Sequence, residues 1–330
     1  MKKAIMAVVL ILALVLLSMK PGLADQEVKL GLQNLSSYSV FFVGMDKGFF
    51  QAEGIKIKPI WFKSAQPVTV ATSSGDLDVA GAGTVAGLWN SIGGGMKIRV
   101  VAGRAWEWPG YRLTGLLTSA KSYEEGLKTI KDLKGKRVGI TQFGSTFHYD
   151  FGKMVEKLGM SIKDFKLVAL GGVSSMRDTV LTNQIESAFL VEPFITPLVK
   201  DNKVKVISWV GDEIRYNVGV VIYGEKFIKN REAAVAFMKG YIKSCQYYYD
   251  NGLMKKDPKA YNEILSIIAK YTEEKPENIA ISMAYNVRNG EIDAAEIQNQ
   301  LDWWHANGLV EKKLSSADVI DASFLKEALK

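Results

Sequence analysis

The sequence contains very few of the residues on which metal sites and many enzymes depend. It has one cysteine, Cys245, and two histidines, His148 and His305, in 330 residues. A single cysteine excludes an internal disulfide and a zinc site built from several thiolates. The histidines lie far apart, and no His-x-x-x-His or Gly-x-Ser-x-Gly motif occurs. We therefore expect no metal, no cofactor and no catalytic residues, and the sequence favours a binding protein over an enzyme.

Dense clusters of basic residues are also missing. The formal net charge is +7, from 42 lysines and arginines against 35 acidic residues, and the basic residues are spread along the chain. A nucleic-acid-binding domain usually concentrates its lysines and arginines in one run or patch. We therefore expect no nucleic-acid partner.

Long apolar runs are rare, and the clearest one lies at the start of the chain. Lys2 and Lys3 precede an unbroken apolar run over residues 4–17. A short segment that contains small residues follows and ends at Ala24. This order is typical of a secretory signal peptide, and the run is shorter than the roughly 20 residues that span a bilayer. We expect residues 1–24 to be a signal peptide, cleaved after Ala24, and the protein to be periplasmic. No cysteine lies near that site, which excludes a lipoprotein anchor.

Strand-like and helix-like segments alternate from Val28 to about Gly224, and helices dominate the remainder. Strands are predicted over residues 28–32, 55–62, 79–82, 98–103, 137–141, 165–169, 187–190 and 204–209, and late helices over 232–250, 258–269, 276–287 and 294–306. Such alternation is typical of an α/β fold with parallel sheets. We predict two lobes, each a mostly parallel sheet flanked by helices, with two hinge crossings. Lobe 1 comprises residues 25–114 and 218–330, and the inserted lobe 2 comprises residues 115–217.

Three motifs follow one another along this plan. They are VGMDKGFFQAEGIKIKPIWF at residues 43–62, DLKGKRVGI at 132–140 and AFLVEPF at 188–194. Together they resemble the periplasmic solute-binding proteins of ABC importers for nitrate, sulfonates, taurine and thiamine precursors. The resemblance implies a type II periplasmic-binding-protein fold, capture of a small solute between closing lobes, and delivery to a membrane permease. We expect the protein to act as a monomer.

Candidate ligand-binding residues of lobe 1 are polar or small residues in loops that follow predicted strands. Ligands of open α/β sheets bind at the carboxyl ends of the strands. Serine, threonine and glycine in such loops also serve as ordinary helix caps and turn residues, so capping is the alternative for each position. The candidates are Gln33, Asn34, Ser36, Tyr38, Ser64, Gln66, Gly83 and Thr84.

The segment GITQFGSTFHYDF, residues 139–151, supplies the main candidates of lobe 2. Gly144, Ser145 and Thr146 lie on a tight turn between a strand and a helix, and free N–H groups at a helix N-terminus favour an anion. The segment is not a nucleotide-binding P-loop, because Phe147 and His148 occupy the positions where a P-loop has lysine and serine or threonine. Ordinary capping is again the alternative. The resemblance places ligand contacts at this turn. Glu192 at a predicted strand end and Asn217 beside the second hinge crossing are further candidates near the cleft.

Arg104 is the candidate with the strongest individual chemistry. In VVAGRAWEWPGY it follows the predicted strand 98–103, and its planar fork can hold a carboxylate or sulfonate through two hydrogen bonds. An ion pair with Glu107 is the alternative. Trp106 follows directly, and with Trp108 and Tyr111 it could stack on a flat ligand or simply pack within the protein.

These residues predict a receptor for a small organic anion. The nearby aromatic residues favour an aromatic carboxylate, such as a benzoate-like or phthalate-like acid. An alkanesulfonate, taurine or a thiamine precursor is the alternative ligand. Two other classes of function stay open: an exported ligand-sensing module for a membrane receptor, and an enzyme on the same fold.

Overall fold

The computed structural model describes residues 26–330. The predicted signal peptide, residues 1–24, lies outside the described residues. Within the described part, no helix is both long and apolar enough to cross a membrane.

Ten strands form two separate sheets in this part of the chain. The strands are β1 (Gln26–Leu32), β2 (Ile55–Trp61), β3 (Val79–Gly83), β4 (Arg99–Glu107), β5 (Thr114–Ser119), β6 (Arg137–Ile140), β7 (Lys166–Ala169), β8 (Ser187–Val191), β9 (Val204–Trp209) and β10 (Tyr216–Tyr223). One sheet has the order β2-β1-β3-β10-β4 and the other β7-β6-β8-β5-β9. In the first sheet β10 runs antiparallel to both neighbours, and in the second β5 does. The predicted two-lobed α/β class is therefore confirmed.

Helices flank both sheets. Those between β1 and β10 are α1 (Ser39–Asp46), α2 (Ala65–Ser74), α3 (Ala86–Gly93), α4 (Ala120–Glu124), α5 (Thr146–Lys157), α6 (Val173–Leu181), α7 (Ile195–Lys200) and α8 (Val210–Glu213). Those after β10 are α9 (Glu225–Lys229), α10 (Arg231–Tyr247), α11 (Pro258–Thr272), α12 (Pro276–Ile279), α13 (Ala294–Ala306), α14 (Ser316–Val319) and α15 (Ser323–Ala328). Strands β3 and β8 are buried along their whole length, as expected of strands in a covered, largely parallel sheet.

The chain passes twice between the sheets. It leaves the first sheet after β4, enters the second at β5, and returns from β9 to β10 through α8. We use lobe 1 for the first sheet with its helices and lobe 2 for the second sheet with α4 to α8. The predicted boundary at residues 114/115 follows the first residue of β5, and that at 217/218 follows the second residue of β10. Both boundaries stay predictions.

Small residues in β3 bring the loop after β1 close to the sheet. A Cβ atom at Gly81 would lie 2.6 Å from the ring of Tyr38, which belongs to a short 3-10 helix, Ser36–Tyr38. The Tyr38 hydroxyl donates to the Gly81 carbonyl at 2.9 Å. Bulkier residues in β3 would push this helix away from the strand ends, where the candidate site lies.

The predicted helix over residues 276–287 is mostly wrong. Only Pro276–Ile279 is helical, and the following segment instead covers the free edge of β4. The backbone N–H of Trp106 donates to the Tyr285 carbonyl at 3.0 Å, and the backbone N–H of Gly103 donates to the Gly290 carbonyl at 2.8 Å. An edge strand exposes unpaired backbone groups, and pairing them outweighs a local preference for helix.

Helix α13 matches its predicted range and packs against lobe 2. The Trp303 Nε1–H donates to Glu156 of α5 at 2.7 Å. A Cβ atom at Gly152 of α5 would lie 2.2 Å from the Trp303 ring, so the absence of a side chain there lets the two helices meet. The helical tail of lobe 1 therefore contacts both lobes.

Candidate functional site

The loops at the strand ends of the two lobes touch one another directly. The Ala86 N–H donates to the Gly144 carbonyl at 2.9 Å, and the Ser36 N–H donates to the Glu192 carbonyl at 3.1 Å. Gly144 has a φ of +80°, and a Cβ atom there would lie 3.0 Å from the Ala86 Cβ. The cleft between the lobes is therefore closed around a small interior space.

That space, which we call the interlobe cavity, has a volume of about 70 Å³. Both lobes contribute to its wall. The predicted residues that line it are Gln33, Tyr38, Ser64, Gly83, Arg104, Ser145, Thr146 and Phe147. Arg104 is the one charged side chain among all the residues that line this cavity.

Arg104 is buried and has no counter-ion among the described residues. It is 3% exposed, and its guanidinium lies 3.8 Å from the centre of the Tyr38 ring. Its nitrogens donate to the Ser37 carbonyl and, at 3.5 Å, to the Ala82 carbonyl, while Nε has no acceptor among residues 26–330. Burial lowers the pKa of Arg104 from its ordinary value, the direction expected of a desolvated cation. A buried charge is costly unless an opposite charge compensates it, and the cavity leaves room for an anion to do so.

A β-bulge directs Arg104 into the cavity. Strand β4 continues to Glu107 and does not end at residue 103 as predicted, so Arg104 lies within the strand. Ala105 and Gly103 pair with the consecutive residues Gly219 and Val220 of β10, which leaves Arg104 as the extra residue. Such a bulge re-aims a side chain. A Cβ atom at Gly219 would lie 2.3 Å from Arg104 Nη2, so glycine at this position makes room for the guanidinium.

Two helix N-termini converge on the cavity wall. Ser64 is the N-cap of α2 and Ser145 is the N-cap of α5, yet neither side chain makes a capping hydrogen bond. The Ser145 hydroxyl is buried and has no partner within the described chain. The Thr146 and Phe147 N–H groups likewise have no acceptor in residues 26–330. Unsatisfied donors and the positive end of a helix dipole both favour an anion.

Comparison with known proteins decides the family. Residues 36–252 match the family described as NMT1/THI5 like. The chain belongs to the NMT1/THI5-like family. The matched segment contains every residue of the cavity wall except Gln33 and Leu35. The resemblance found in the sequence motifs is therefore confirmed.

Individual relatives of this NMT1/THI5-like protein are distant. A Bacillus subtilis (strain 168) protein named for binding aliphatic sulfonates is 22% identical over 318 residues, which is 92% of this chain and 88% of the relative. The alkanesulfonate-binding protein SsuA of Xanthomonas axonopodis pv. citri, bound to MOPS, shares the fold with a TM-score of 0.73, 17% identity and coverage of 92% and 99%. The desulfurization enzyme DszB also shares it, with a TM-score of 0.63, 13% identity and coverage of 92% and 99%.

His148 lies behind the turn at residues 144–146, which we call the binding turn, and it does not line the cavity. Its Nδ1 accepts a hydrogen bond from the Gly144 N–H at 3.1 Å, and its ring meets those of Trp303 and Trp304 edge-on, each with centroids 6.1 Å away. Burial lowers the pKa of His148 to about 4, so the ring is neutral near pH 7 and Nδ1 can accept. His148 therefore holds Gly144 in place and joins the turn to α13.

Trp106 also lies away from the cavity. Its ring is buried and meets Trp108 edge-on at 6.0 Å, and Trp108 stacks on Tyr285 at 4.2 Å. The guanidinium of Arg215 covers the Trp108 ring at 3.9 Å. The side chains of Trp106 and Trp108 thus pack with the segment that covers the β4 edge, and none of these residues lines the cavity.

Asn217 and Thr84 support the site from behind. The Asn217 amide donates to the Ala105 carbonyl at 2.8 Å and to the Gly219 carbonyl at 2.7 Å, on both sides of the β4 bulge. The Thr84 hydroxyl donates to the Asn217 carbonyl at 3.4 Å. Both residues therefore stabilise the backbone that carries Arg104.

The remaining candidates also lie outside the cavity wall. Ser36 is buried beside it, and Gln66 lies against Gly87 of α3. Glu192 is buried and accepts hydrogen bonds from Thr196 at 2.6 and 3.1 Å. Burial raises the pKa of Glu192 to about 7. Asn34 lines a neighbouring cavity and donates to the Tyr271 carbonyl at 2.8 Å.

The candidate set omitted much of the cavity wall. The omitted residues are Leu35, Ser37, Ala65, Val85, Leu113, Thr114, Thr141, Gln142, Val173, Val191 and Val218. Thr141 and Gln142 directly precede the turn that the sequence predicted at residues 144–146. Their position next to that turn could have identified them as candidates. The apolar residues carry no such signal, since valine or leucine at a strand end looks the same in a site and in a core.

Proposed function

We propose that this protein is the solute-binding receptor of an ABC importer and that it captures an aliphatic sulfonate between its lobes. The observation that carries the proposal is the buried guanidinium of Arg104, which has no counter-ion within residues 26–330 and borders a cavity to which these residues contribute no acidic side chain. An anion in the cavity would supply the missing charge.

The arrangement of donors supports a sulfonate as the anionic group. A sulfonate has three acceptor oxygens and stays ionised across the physiological pH range. Donors approach the cavity from both lobes: Arg104 and the N-terminus of α2 from lobe 1, and the N–H groups of Thr146 and Phe147 with the Ser145 hydroxyl from lobe 2. Two of the relatives above are named for sulfonate binding.

The case for an aromatic carboxylate loses its main support. That prediction rested on Trp106, Trp108 and Tyr111 as a stacking surface, and none of them lines the cavity. Tyr38 does line it, but the Arg104 guanidinium already covers its ring. We therefore rank an aliphatic sulfonate above an aromatic acid.

The mechanism that we propose is closure without chemistry. A ligand held by Arg104 in lobe 1 and by the Ser145 to Phe147 turn in lobe 2 binds the closed state better than the open state, and so shifts the equilibrium toward closure. A membrane permease would then recognise the closed shape of the periplasmic receptor, which we take to be a monomer. Among the described residues, no histidine, cysteine, aspartate or glutamate lines the cavity, so this wall offers no general base or thiolate for the enzyme alternative.

The test is calorimetric titration of the mature chain with short linear alkanesulfonates, taurine, nitrate and benzoate. We expect a linear alkanesulfonate to bind most tightly. Arg104→Gln should weaken it by roughly tenfold to a hundredfold, the range for losing a charged hydrogen-bonding group. Arg99→Gln is the matched control, because Arg99 lies on the same strand, bears the same charge and does not line the cavity. Failure of every anion to bind, or equal binding by both variants, would refute the proposal.

A further inference from the structure

A second cavity adjoins the interlobe cavity and shares part of its wall. It has a volume of about 420 Å³, and both cavities are lined by Gln33, Leu35 and Val173. We propose that this second cavity holds the far end of the ligand and selects a second anionic group there. The inference rests on the proposed function, since it assumes that a sulfonate occupies the interlobe cavity.

Several polar groups of the second cavity favour negative charge. Lys63, in the loop between β2 and α2, lines it and has no acidic partner among the described residues. The N-terminus of α6 also lines it, with Gly172 as N-cap, so no side chain satisfies the first N–H groups of that helix. Ser174 and Ser175 add hydroxyl groups, and the part of the chain that the structure describes contributes no acidic residue to the wall. The cavity thus offers a cation, helix N–H donors and hydroxyls to one ligand group.

Apolar side chains border the two cavities where they adjoin. Leu35 and Val173 border both cavities, and Phe62 and Phe194 line the second one. Gln33, which also borders both, is 7% exposed, and its side-chain amide lies 2.9 Å from the Tyr38 hydroxyl. One polar atom of this amide has no partner within residues 26–330, so a hydrogen-bonding group remains available where the cavities join. An apolar junction between two cavities that each favour an anion fits a short apolar chain with an anionic group at each end.

The same arrangement disfavours a ligand that ends in an amine. An ammonium group in the second cavity would approach Lys63 and the positive end of α6, and residues 26–330 place no acidic side chain in the wall to compensate. The proposed substrate class is therefore a linear aliphatic sulfonate that carries a terminal carboxylate or a second sulfonate, with zwitterionic aminosulfonates discriminated against. Because Phe62 and Lys63 come from lobe 1 and Ser174 and Phe194 from lobe 2, the far end would also favour closure.

The test compares three linear sulfonates of equal chain length that end in a methyl, a carboxylate or an ammonium group, over a series of lengths. We expect the carboxylate form to bind about threefold to tenfold more tightly than the methyl form at its best length, since Lys63 is exposed and partly screened. The ammonium form should bind most weakly. Lys63→Gln should abolish the preference for carboxylate over methyl while leaving the methyl form within about twofold.

Lys56→Gln is the matched control, because Lys56 lies on the adjacent strand β2, carries the same charge and borders neither cavity. It should keep the preference. If the methyl and carboxylate forms bind equally well in the unmodified protein, the second-cavity inference is wrong and the proposed function stands. The same inference fails if Lys56→Gln removes the preference as fully as Lys63→Gln does. If no form binds at all, the proposed function fails and the inference fails with it.

Discussion

Tyr216 of β10 donates a hydrogen bond to Asp150 of α5, and this bond joins the two lobes behind the ligand cleft. Asp150 is fully buried, and so is Glu107 at the end of β4. Burial raises the pKa of both carboxyl groups, for Glu107 to about 8, and the Glu107 carboxyl raises the pKa of Asp150 further. The hinge region therefore contains a Glu107 that is protonated near neutral pH and a buried Asp150 whose ionised form is disfavoured.

Replacing Glu107 should change how stability depends on pH. Its folded pKa of about 8 exceeds its ordinary value of 4.5, so the folded protein holds a proton that the unfolded chain releases between those values. Its contribution to stability is complete below pH 4.5 and is lost as the pH rises to about 8, with a slope of at most about 1.4 kcal/mol per pH unit. Denaturation of wild type and Glu107→Gln at pH 5 and pH 8 checks this. We expect the variant to lose less stability over that interval; parallel profiles would contradict the assignment.

The glycine opposite the β-bulge should be required for binding. In Gly219→Ala the new methyl group would meet the Arg104 guanidinium at 2.3 Å and displace it, so we expect sulfonate affinity to fall by at least about tenfold. Combining it with Arg104→Gln should add little to the loss from Arg104→Gln alone, because both changes remove one interaction. Gly93→Ala is the control, since a Cβ there meets only ordinary contacts at 3.6 Å or more. Additive losses in the double variant would show that Gly219 acts elsewhere.

Protonating His148 should weaken the binding turn. Burial lowers its pKa from 6.5 to about 4, so the unfolded chain binds a proton that the folded chain excludes between those values. The stability from this group is complete above pH 6.5 and is lost as the pH falls toward 4. His148→Gln keeps an acceptor for the Gly144 N–H without titrating in this range. Thermal melts from pH 7 to pH 4 should show a smaller fall for the variant, and an equal fall in both proteins would exclude His148 as the source.

Filling the space at Gly152 should separate α13 from α5. A Cβ there would lie 2.2 Å from the Trp303 ring, and overpacking of this kind costs about 1 to 3 kcal/mol. Because the contact joins lobe 2 to the tail of lobe 1, we also expect Gly152→Ala to weaken ligand binding and to enlarge the unliganded protein in small-angle X-ray scattering. Gly152→Ala with Trp303→Leu should recover part of the affinity. No recovery in that double variant would show that the loss does not arise at this contact.

The sequence by itself determined the α/β class, the positions of most strands along the chain and the family. Those properties follow from local periodicity, from glycines at strand ends and from contiguous motifs, all of which can be recognised in short stretches of sequence. The turn around Ser145 was predictable for the same reason, because a strand end, a glycine and a helix start lie within a few residues. Arg104 was recognised by its chemistry, although its strand was predicted to end too early.

Only the tertiary structure decided which of these side chains meet. Arg104 points into the cavity because Gly219, more than a hundred residues later, pairs beside it and leaves it as the bulged residue. Trp106 packs away from the ligand because the Tyr285 segment covers the β4 edge, and His148 supports the turn because α13 docks behind it. The pairing register of strands and the docking of helices depend on contacts between distant segments, so local residue patterns do not predict them.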